Sequence, residues 1–451
     1  MVTVKRLTSP AAIPRLPACL SVLSYNVLLP NSQDGWWNYK MYLPPLAPPD
    51  EDISTWEYRK SLLIERIGLI DADVVCLQEV SPLSFEEDFK FMTETLGYDG
   101  VELFRKGRFR PATFWKKDRV ELICPAQHKD RTMLTSFRLN DSDEASNTVN
   151  WHVLNCHLQA GKQGGRRVRQ LFEGVTTAYK LAKKLKEDNP EDLKLIVCGD
   201  FNGGHESGAV ELLEKGIIDQ DFVEDGEQVS SKAKKLPLSA PMNDAISTDR
   251  EHGNHVPATL VVPELISIMT EQGSVETAYM EPQFSQQVID RLTRIYERFA
   301  KDSPGVQMTK ADVEEWLTII NGRVGRGTEF RNAAKFMGWK EPPTVPDADE
   351  KKEDRPPIVI PDDSVLTFSD FVAVYLDELR QGKFWGIAWD LAKLGEPLDV
   401  DDVFQARYDR MYCSASLEPI AVLDTISIDP CPNRVEPSDH LPVCASFQVK
   451  K

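Results

Sequence analysis

Short, mostly apolar runs alternate with helical patterns over the first 225 residues of the chain. Four of these runs are long enough for a buried strand, and they read LSYNVLL, VVCLQEV, WHVLNCHLQ and LKLIVCGD. Runs without a polar face indicate central strands that are covered on both sides. Between them, residues 55–70 and 166–188 repeat apolar side chains every three or four positions, which predicts two amphipathic helices. The pattern therefore predicts a layered α/β domain.

The pattern changes near residue 281. Helical periodicity dominates residues 281–398, where the acidic, proline-rich segment 340–363 predicts a mobile loop. Strand-like runs return in residues 399–451. We therefore predict an α/β domain built from residues 1–280 and 399–451, with a helical module at 281–398 inserted into it.

Composition limits the class of protein. The 451 residues carry a formal net charge of -18, which argues against long-range attraction to a nucleic-acid backbone, although residues 104–110, 162–170 and 231–235 form basic islands. No apolar run approaches the roughly 20 residues of a membrane span. We expect a cytoplasmic protein without a membrane segment, and the acid-free first 33 residues leave organelle targeting open.

Five apolar runs end in polar or charged side chains. These residues are Asn26, Glu79, Asn155 with His157, Asp200 with Asn202, and Asp439 with His440. Each has an ordinary explanation when taken singly, such as a turn residue or a satisfied core residue. A central strand normally excludes such groups unless a site satisfies them, so five coincidences in one chain predict a functional site.

The ordered motifs N, LQEV, NCHL, GDFN and SDHLPV resemble the endonuclease/exonuclease/phosphatase family of metal-dependent phosphoesterases. The segments WEYRKSLLIERI and RVRQL are most similar to its nocturnin-type and carbon-catabolite-repressor-type deadenylases. The resemblance covers residues 20–225 and 399–451. It implies a four-layered α/β sandwich, with two mixed β-sheets flanked by helices, and a hydrolase acting on nucleotide phosphoesters such as an RNA 3′ tail or a small dinucleotide.

The resemblance also implies a metal site. Hydrolysis of a phosphodiester needs a cation, a base for water and hydrogen-bond donors, because the negative charge of the ester repels a nucleophile. In the family pattern Glu79 is the main ligand of Mg²⁺, Asn26 assists it and Asp439 supports the metal. Mg²⁺ is a hard ion that binds few carboxylates and keeps waters, and Mn²⁺ is the expected substitute.

The catalytic roles follow from the same resemblance. Asp200 is expected to orient and deprotonate the attacking water, while Asn202 holds that water or a phosphate oxygen. His157 and His440 are expected to donate hydrogen bonds to the phosphate. Asp409, an acid inside the strand-like segment ARYDRMY, is expected to hold His440 in its donating tautomer.

Substrate-binding groups are harder to identify from the sequence. Candidates for phosphate contacts come from two basic islands and one strand, and they are Arg105, Arg108, Arg167 and Asn155. The loop after the first run contains four aromatic residues that suit stacking on a nucleobase, while packing on the domain edge explains them equally well. They are Trp36, Trp37, Tyr39 and Tyr42.

The inserted module has a resemblance of its own. Residues 284–317 and 364–379 resemble the two halves of an EF-hand pair, as in plant and algal calcium-binding members of the family. The acids of the two loops are Asp302, Asp312, Asp363 and Asp370, but Val359 and Pro361 fill the first and third positions of the second loop. Ca²⁺ binding is therefore left open beside a structural role or a surface for a protein partner. The alternative function is a calcium-responsive or partner-binding protein with a vestigial phosphoesterase fold.

Overall fold

The computed structural model describes residues 4–8, 11–43, 50–140, 148–247, 257–271, 282–300, 306–340 and 358–450. The chain forms two compact units. The sandwich unit comprises Met1–Tyr39, Pro48–Val262 and Val403–Lys451, and the helical unit comprises Lys40–Ala47 and Pro263–Asp402. The insertion is thus longer than the predicted residues 281–398. The predicted mobile loop lies largely outside the described residues, which omit 341–357.

The first sheet of the sandwich unit has seven strands in the order β1-β21-β22-β2-β3-β5-β4. Strands β2 and β3 are parallel, and every residue of β2 is buried, as its apolar run predicts. The strands are β1 (Lys5–Thr8), β2 (Cys19–Asn26), β3 (Val74–Val80), β4 (Gly100–Leu103), β5 (Arg110–Trp115), β21 (Leu417–Asp424) and β22 (Val443–Val449).

The second sheet runs in the order β15-β20-β10-β9-β8-β6, and β7 pairs with β8. Strands β9 and β10 are parallel, whereas β20 lies antiparallel to β10. The strands are β6 (Val120–Leu122), β7 (Gln127–Lys129), β8 (Thr132–Leu139), β9 (Trp151–His157), β10 (Lys194–Asp200), β15 (Asn243–Asp244) and β20 (Asp409–Cys413). Both sheets are therefore mixed.

Three buried clusters separate four layers. One joins Val22 and Cys76 of the first sheet to Ile196 and Cys198 of the second. The outer face of the first sheet packs on α1, and that of the second sheet packs on α4 and α5. The helices are α1 (Trp56–Ile70), α2 (Phe85–Asp88), α3 (Lys90–Glu94), α4 (Gly164–Lys184) and α5 (Gly208–Lys215). The predicted fold class and both predicted helices are confirmed.

The sandwich unit also contains short elements. They are the strands β11 (Ile217–Ile218), β12 (Val223–Glu224), β13 (Glu227–Gln228), β14 (Lys234–Lys235) and β19 (Val403–Ala406), and the 3₁₀ turns Asp50–Ser54 and Pro190–Asp192. The 3₁₀ turn Trp36–Met41 and the strand β16 (Leu260–Pro263) begin in this unit. Across all the described residues, no helix has the length and apolar character needed to cross a membrane.

Helix α1 begins and ends where its sequence supplies caps. The hydroxyl of Thr55 accepts a hydrogen bond from the main-chain N–H of Tyr58 (3.3 Å), and Asp71 closes the helix in the left-handed region (φ 55°). The buried face consists of Trp56, Arg59, Leu63, Ile67 and Ile70. Its arginine is a charged residue within a stripe that is otherwise apolar.

The helical unit contains a two-stranded ribbon in which Met308 lies opposite Leu366. The acids Asp312 and Asp370 accept hydrogen bonds at the first turns of α8 and α10 in reciprocal capping boxes. The elements are α6 (Ile266–Met269), α7 (Gln286–Ala300), α8 (Lys310–Asn321), α9 (Gly327–Phe336), α10 (Phe368–Arg380), α11 (Phe384–Lys393), β17 (Met308–Thr309) and β18 (Val365–Leu366). Asp302 lies outside the described residues, and the EF-hand resemblance stays a prediction.

A buried ion-pair network lies inside the helical unit. Lys40 Nζ lies 2.9 Å from Asp390 Oδ1 and 3.3 Å from Glu329 Oε1, and all three side chains are almost inaccessible to water. Buried charges require such partners. The network connects Lys40 to two acids of the same unit that follow much later in the chain.

Arg407 and Asp244 form a two-pronged ion pair beside β20, with nitrogen–oxygen distances of 2.7 and 2.8 Å. Burial raises the pKa of Asp244, but Arg407 and two main-chain N–H donors outweigh burial and hold this pKa below its ordinary value of 3.8. We expect Asp244→Asn to lower the free energy of unfolding by about 3 kcal/mol at neutral pH, because Arg407 loses its buried partner.

This loss of stability is expected to depend on pH. A carboxylate with a lowered pKa stabilises the fold above the pKa of the unfolded chain, and the contribution disappears as the pH falls through the folded-state pKa. Urea unfolding of wild type and variant at pH 7 and at about pH 3 measures the effect, with the exposed Asp221→Asn as control. Equal stabilities at pH 7, or a difference that does not become smaller as the pH is lowered, would contradict this role of the pair.

Candidate active site

The ends of four strands bring the predicted residues to one edge of the sandwich. Asn26 ends β2, Glu79 lies next to the end of β3, and His157 and Asp200 end β9 and β10. In the second sheet, Asp200 lies opposite His157 on one side and opposite Asp409 on the other. Asn26 joins the two sheets, because its Nδ2 donates to Asp200 Oδ2 (3.0 Å).

Asp200 is a buried carboxylate that accepts three hydrogen bonds. Its Oδ1 accepts from the main-chain N–H of Asn202 (2.8 Å), and its Oδ2 accepts from the side-chain amides of Asn26 and Asn202 (3.0 Å each). Asn202 has a φ of 48°, in the left-handed region that Asn tolerates better than most residues. This turn brings the main-chain N–H and the side-chain amide of Asn202 to Asp200, so each carboxylate oxygen accepts a hydrogen bond from Asn202.

His157 faces two carboxylates with one ring nitrogen. Its Nδ1 lies 2.8 Å from the main-chain oxygen of Phe109. A carbonyl oxygen can only accept, so Nδ1 carries the proton in this contact. The other nitrogen, Nε2, lies 3.7 Å from Asp200 Oδ2 and 3.8 Å from Glu79 Oε1. The ring therefore presents Nε2 to the site.

Glu79 is more open to water than Asp200, with a side chain 19% exposed against 2%. Its φ of 63° is unusual for a residue with a side chain, and such strain clusters at functional sites. Its Oε2 accepts from the main-chain N–H of Leu29 (3.1 Å). One accessible carboxylate near the amide of Asn26 suits Mg²⁺, a hard ion that retains waters. These residues fit the metal that the resemblance implies.

His440 and Asp409 form a buried pair in which His440 Nδ1 lies 2.7 Å from Asp409 Oδ2. The main-chain N–H of Asp409 donates to Thr259 Oγ1 (2.9 Å). Burial lowers the pKa of His440, but the carboxylates of Asp409, Asp439 and Asp200 outweigh it and hold this pKa well above 6.5. These carboxylates therefore stabilise the protonated imidazole. One ligand atom each of Asp200, Asp409 and His440 lies within 4.8 Å of the others.

Ser438 ties the loop that carries His440 to the first sheet. Its hydroxyl donates to the main-chain oxygen of Asn26 (2.7 Å) and accepts from the main-chain N–H of His440 (3.2 Å). Asp439 lies between Ser438 and His440 in the chain, and burial raises the pKa of its carboxyl group. The loop thereby brings Asp439 and His440 to the strand end formed by Asn26.

Two residues predicted to bind phosphate are buried and engaged within the protein. The amide of Asn155 donates to the main-chain oxygen of Ala112 (2.9 Å) and accepts from Gln78 Nε2 (2.9 Å). Arg167 is also buried, and its guanidinium forms an ion pair with Glu224. Both side chains are thus engaged in internal contacts, and their contact with phosphate stays a prediction.

The other two predicted arginines lie exposed on the loop before β5. Arg105 pairs with Glu86 at 3.2 Å, and Arg108 pairs with Asp34 at 2.7 Å. The pair of Arg105 and Glu86 is exposed on both sides and is therefore weak, whereas the partner of Arg108, Asp34, is buried. Contact of these arginines with phosphate stays a prediction.

Trp36, Trp37 and Phe109 form a partly exposed aromatic cluster near His157. The ring centroids of Trp37 are 6.2 Å from those of both Trp36 and Phe109. Phe109 connects the cluster to the site, because its main-chain oxygen is the partner of His157. Tyr42, by contrast, is buried and does not offer a stacking face.

Two residues that support the site were not predicted from the sequence, namely Thr259 and Ser438. Ser438 belongs to the SDH motif but was not assigned a role. Thr259 has no local signal, because its partner Asp409 is 150 residues away in the chain.

Comparison with known proteins gives a family model and individual relatives. The model of the Endonuclease/Exonuclease/phosphatase family matches residues 23–440. The CCR4-Not complex 3′-5′-exoribonuclease subunit Ccr4 of Schizosaccharomyces pombe is 26% identical over 253 residues, which are 45% of this chain and 35% of that protein. Human 2′,5′-phosphodiesterase 12 is 24% identical over 235 residues, 45% of this chain and 37% of that protein. The chain thus matches about a third of the length of these relatives.

Solved structures are similar over nearly the whole chain at low identity. The human Nocturnin catalytic domain with bound sulfate has a TM-score of 0.44 and 14% identity, with 97% of both chains covered. ANGEL2, a 2′,3′-cyclic phosphatase, in complex with adenosine-2′,3′-vanadate has a TM-score of 0.49 and 15% identity, with 96% of both chains covered. Because the family model spans most of the sequence and includes every strand end of the site, this chain belongs to the endonuclease/exonuclease/phosphatase family of phosphoester-hydrolysing enzymes.

Proposed function

We propose that the protein is a Mg²⁺-dependent phosphoesterase that acts on nucleotide substrates. The observation that carries this proposal is the convergence of Glu79, Asp200, His157 and the His440–Asp409 pair at one edge of the sandwich. Phosphodiester hydrolysis needs a ligand for a hard cation, a base and positively polarised donors. These side chains supply all three.

Glu79 and Asn26 are the residues that hold the cation. When bound, Mg²⁺ supplies positive charge against the phosphoryl oxygens. Asp439, in the loop beside His440, is the third member proposed for this site. Mn²⁺ prefers the same oxygen ligands and is the expected substitute.

Asp200 is the base that accepts the proton of the attacking water. Asn26 and Asn202 aim its carboxylate through three hydrogen bonds. The amide nitrogen of Asn202 also donates to the main-chain oxygen of Leu158 (3.1 Å), so this nitrogen is engaged. We therefore assign Asn202 first to the orientation of Asp200, and the contact of its amide oxygen with water or phosphate stays a prediction.

The two histidines are the proposed donors to the phosphate. Asp409 accepts from Nδ1 of His440, which leaves the opposite ring N–H to meet a phosphoryl oxygen. His157 gives its Nδ1–H to the main-chain oxygen of Phe109, so its Nε2 donates to the phosphate only when the ring carries a second proton. Donors placed in advance stabilise the charge that develops in the transition state.

The nucleotide class of substrate has two supports. The relatives are by name a 3′-5′-exoribonuclease and a 2′,5′-phosphodiesterase. The cluster of Trp36, Trp37 and Phe109 near His157 suits stacking on a base, and the exposed Arg105 and Arg108 suit contacts with phosphate. Together these groups provide one contact for the nucleobase of the substrate and one for its phosphate groups.

The helical unit receives no calcium-dependent step in this proposal. In the second EF-hand-like loop, the first and third positions are Val359 and Pro361, which carry no side-chain oxygen. Ca²⁺ takes roughly six to eight oxygen ligands. The described donors of this loop therefore do not fit Ca²⁺. A protein partner for residues 281–398 stays a prediction.

A panel of substrates tests the proposed function. The full-length protein is expected to cleave at least one nucleotide in millimolar Mg²⁺ and none after treatment with EDTA. The panel contains oligoadenylate RNA, 2′,5′-linked oligoadenylate, a nicotinamide dinucleotide phosphate, a phosphoinositide and bis(4-nitrophenyl) phosphate. Chromatography of the products identifies the bond that is cleaved.

Trp37→Leu separates base recognition from chemistry in this panel. We expect the variant to raise KM for the nucleotide about 10-fold, because one stacking contact is lost, and to affect the base-free nitrophenyl ester less. Cleavage of the phosphoinositide without any nucleotide would overturn the substrate class. If nothing in the panel is cleaved, the vestigial, partner-binding alternative replaces the enzyme.

A further inference from the structure

Arg59 is fully buried on α1, beside the turn that follows β2. Its guanidinium donates to the main-chain oxygens of Leu28 (2.6 Å), Val27 (3.3 Å) and Leu29 (3.3 Å). The ring of Trp56 lies 5.3 Å from the guanidinium carbon. A planar guanidinium with five N–H donors matches such a group of converging carbonyl oxygens.

The opposite ends of two of these peptide groups face the active site. The oxygen of Val27 and the N–H of Leu28 belong to one peptide group, and this N–H donates to Asn26 Oδ1 (3.1 Å). The oxygen of Leu28 and the N–H of Leu29 belong to the next, and this N–H donates to Glu79 Oε2 (3.1 Å). Each peptide group therefore connects the guanidinium of Arg59 to one side chain of the site.

The positive charge of Arg59 acts through these peptide groups on the two side chains of the site. A positive charge at the oxygen of a peptide group polarises the group and strengthens the hydrogen bond that its N–H donates. The turn also needs support, since Leu28 has a φ of 50°, in the left-handed region that leucine rarely occupies. Arg59 supplies both effects from a position that cannot touch substrate.

We propose that Arg59 is a positioning residue of the active site, which fixes Glu79 and Asn26 through two peptide groups and thereby sets the affinity for the divalent cation. This inference rests on the proposed function. It extends to the base as well: because Asn26 Oδ1 accepts from Leu28, its Nδ2 is directed to Asp200. Groups that orient the ligands of a metal commonly control its affinity in this way.

Direct binding of Mn²⁺ to the full-length protein, followed by electron paramagnetic resonance without substrate, tests the proposal. We expect Arg59→Lys to weaken Mn²⁺ binding about 10-fold and Arg59→Met by up to about 100-fold. The matched control is Lys60→Met, which removes the neighbouring cation on α1, a residue paired with Glu57 on the outer side of the helix. This control is expected to bind Mn²⁺ as the wild type does.

A second measurement separates positioning from a general structural role. In a Glu79→Gln background, Arg59→Lys should weaken Mn²⁺ binding much less than it does in the wild type, because the carboxylate it positions is already gone. The Mg²⁺ concentration for half-maximal rate should rise by the same factor as the Mn²⁺ dissociation constant, with kcat at saturating Mg²⁺ falling less. Thermal melting of each variant reports whether the fold is retained.

The outcomes are distinct. Wild-type Mn²⁺ affinity in a folded Arg59→Lys variant would overturn the proposal. It would also be overturned if Arg59→Lys weakened Mn²⁺ binding by the same factor in the Glu79→Gln background as in the wild type. Loss of the fold in both Arg59 variants would also overturn it, in favour of a purely structural role. Failure of the wild type itself to bind Mn²⁺ or to cleave any nucleotide would refute the proposed function instead.

Discussion

Asp200→Asn is expected to lower kcat for a nucleotide substrate by about 10³-fold while the protein stays folded. An amide cannot accept the proton of the attacking water, so the base is lost. The change preserves the size of the side chain, so little cavity or overpacking cost is expected. Initial rates in Mg²⁺ for the best substrate of the panel measure the effect.

The hydrogen bonds around Asp200 make this replacement more severe than a simple loss of charge. All three partners of the carboxylate are N–H donors, one on Oδ1 and two on Oδ2. The new NH₂ group therefore faces a donor in either orientation of the amide, and at least one hydrogen bond is lost. We expect the strand end to become less well ordered as well as inactive.

Asp221→Asn is the matched control for Asp200→Asn, because it removes an exposed acid of the same unit. It should retain the wild-type kcat. Melting temperatures of both variants distinguish a lost base from a lost fold. If folded Asp200→Asn keeps more than about a tenth of the wild-type rate, the assignment of Asp200 as the base is wrong.

The buried pair of His440 and Asp409 is expected to show the second large effect. We expect His440→Gln and Asp409→Asn each to lower kcat by about 10²-fold, and the double variant to be no slower than His440→Gln alone. The reason is that Asp409 reaches the substrate only through the imidazole, with 2.7 Å between Nδ1 and Oδ2. Once the imidazole is gone, the carboxylate has no group left to orient.

Rates of the two single variants and the double variant, at saturating Mg²⁺, measure this coupling as a double-mutant cycle. Melting temperatures show whether Asp409→Asn, at a fully buried position, also destabilises the fold. Multiplication of the two single effects in the double variant would contradict the pairing. It would instead favour a direct contact of Asp409 with the cation or the substrate.

Much of the site could be predicted because it lies at strand ends. Glu79, His157 and Asp200 each follow an apolar run, and the ends of parallel strands meet at the edge of a sheet. Asn155 shows the limit of this reasoning. It lies two residues before the end of β9, which places it roughly 6.6 Å deeper along the strand and between the sheets.

Interactions between distant segments account for the other differences between the sequence-based expectations and the structure. Arg167 belongs to a basic island in the sequence, yet it is buried against Glu224, 57 residues away. Lys40 joins the helical unit through Glu329 and Asp390, which are 289 and 350 residues away. Nothing in the local pattern around these cations indicates a buried partner, because the partner's position depends on the complete fold.

Local patterning was sufficient for the layered α/β class, the two amphipathic helices and the polar strand ends, because alternation of apolar and polar side chains determines which segments become buried. Only the folded chain decided which buried polar groups meet. Strand register placed Asp200 between His157 and Asp409, and packing of α1 placed Arg59 against the turn that holds Glu79. Hydrogen bonds need matched distances and directions, and these arise only when segments far apart in the chain are packed together.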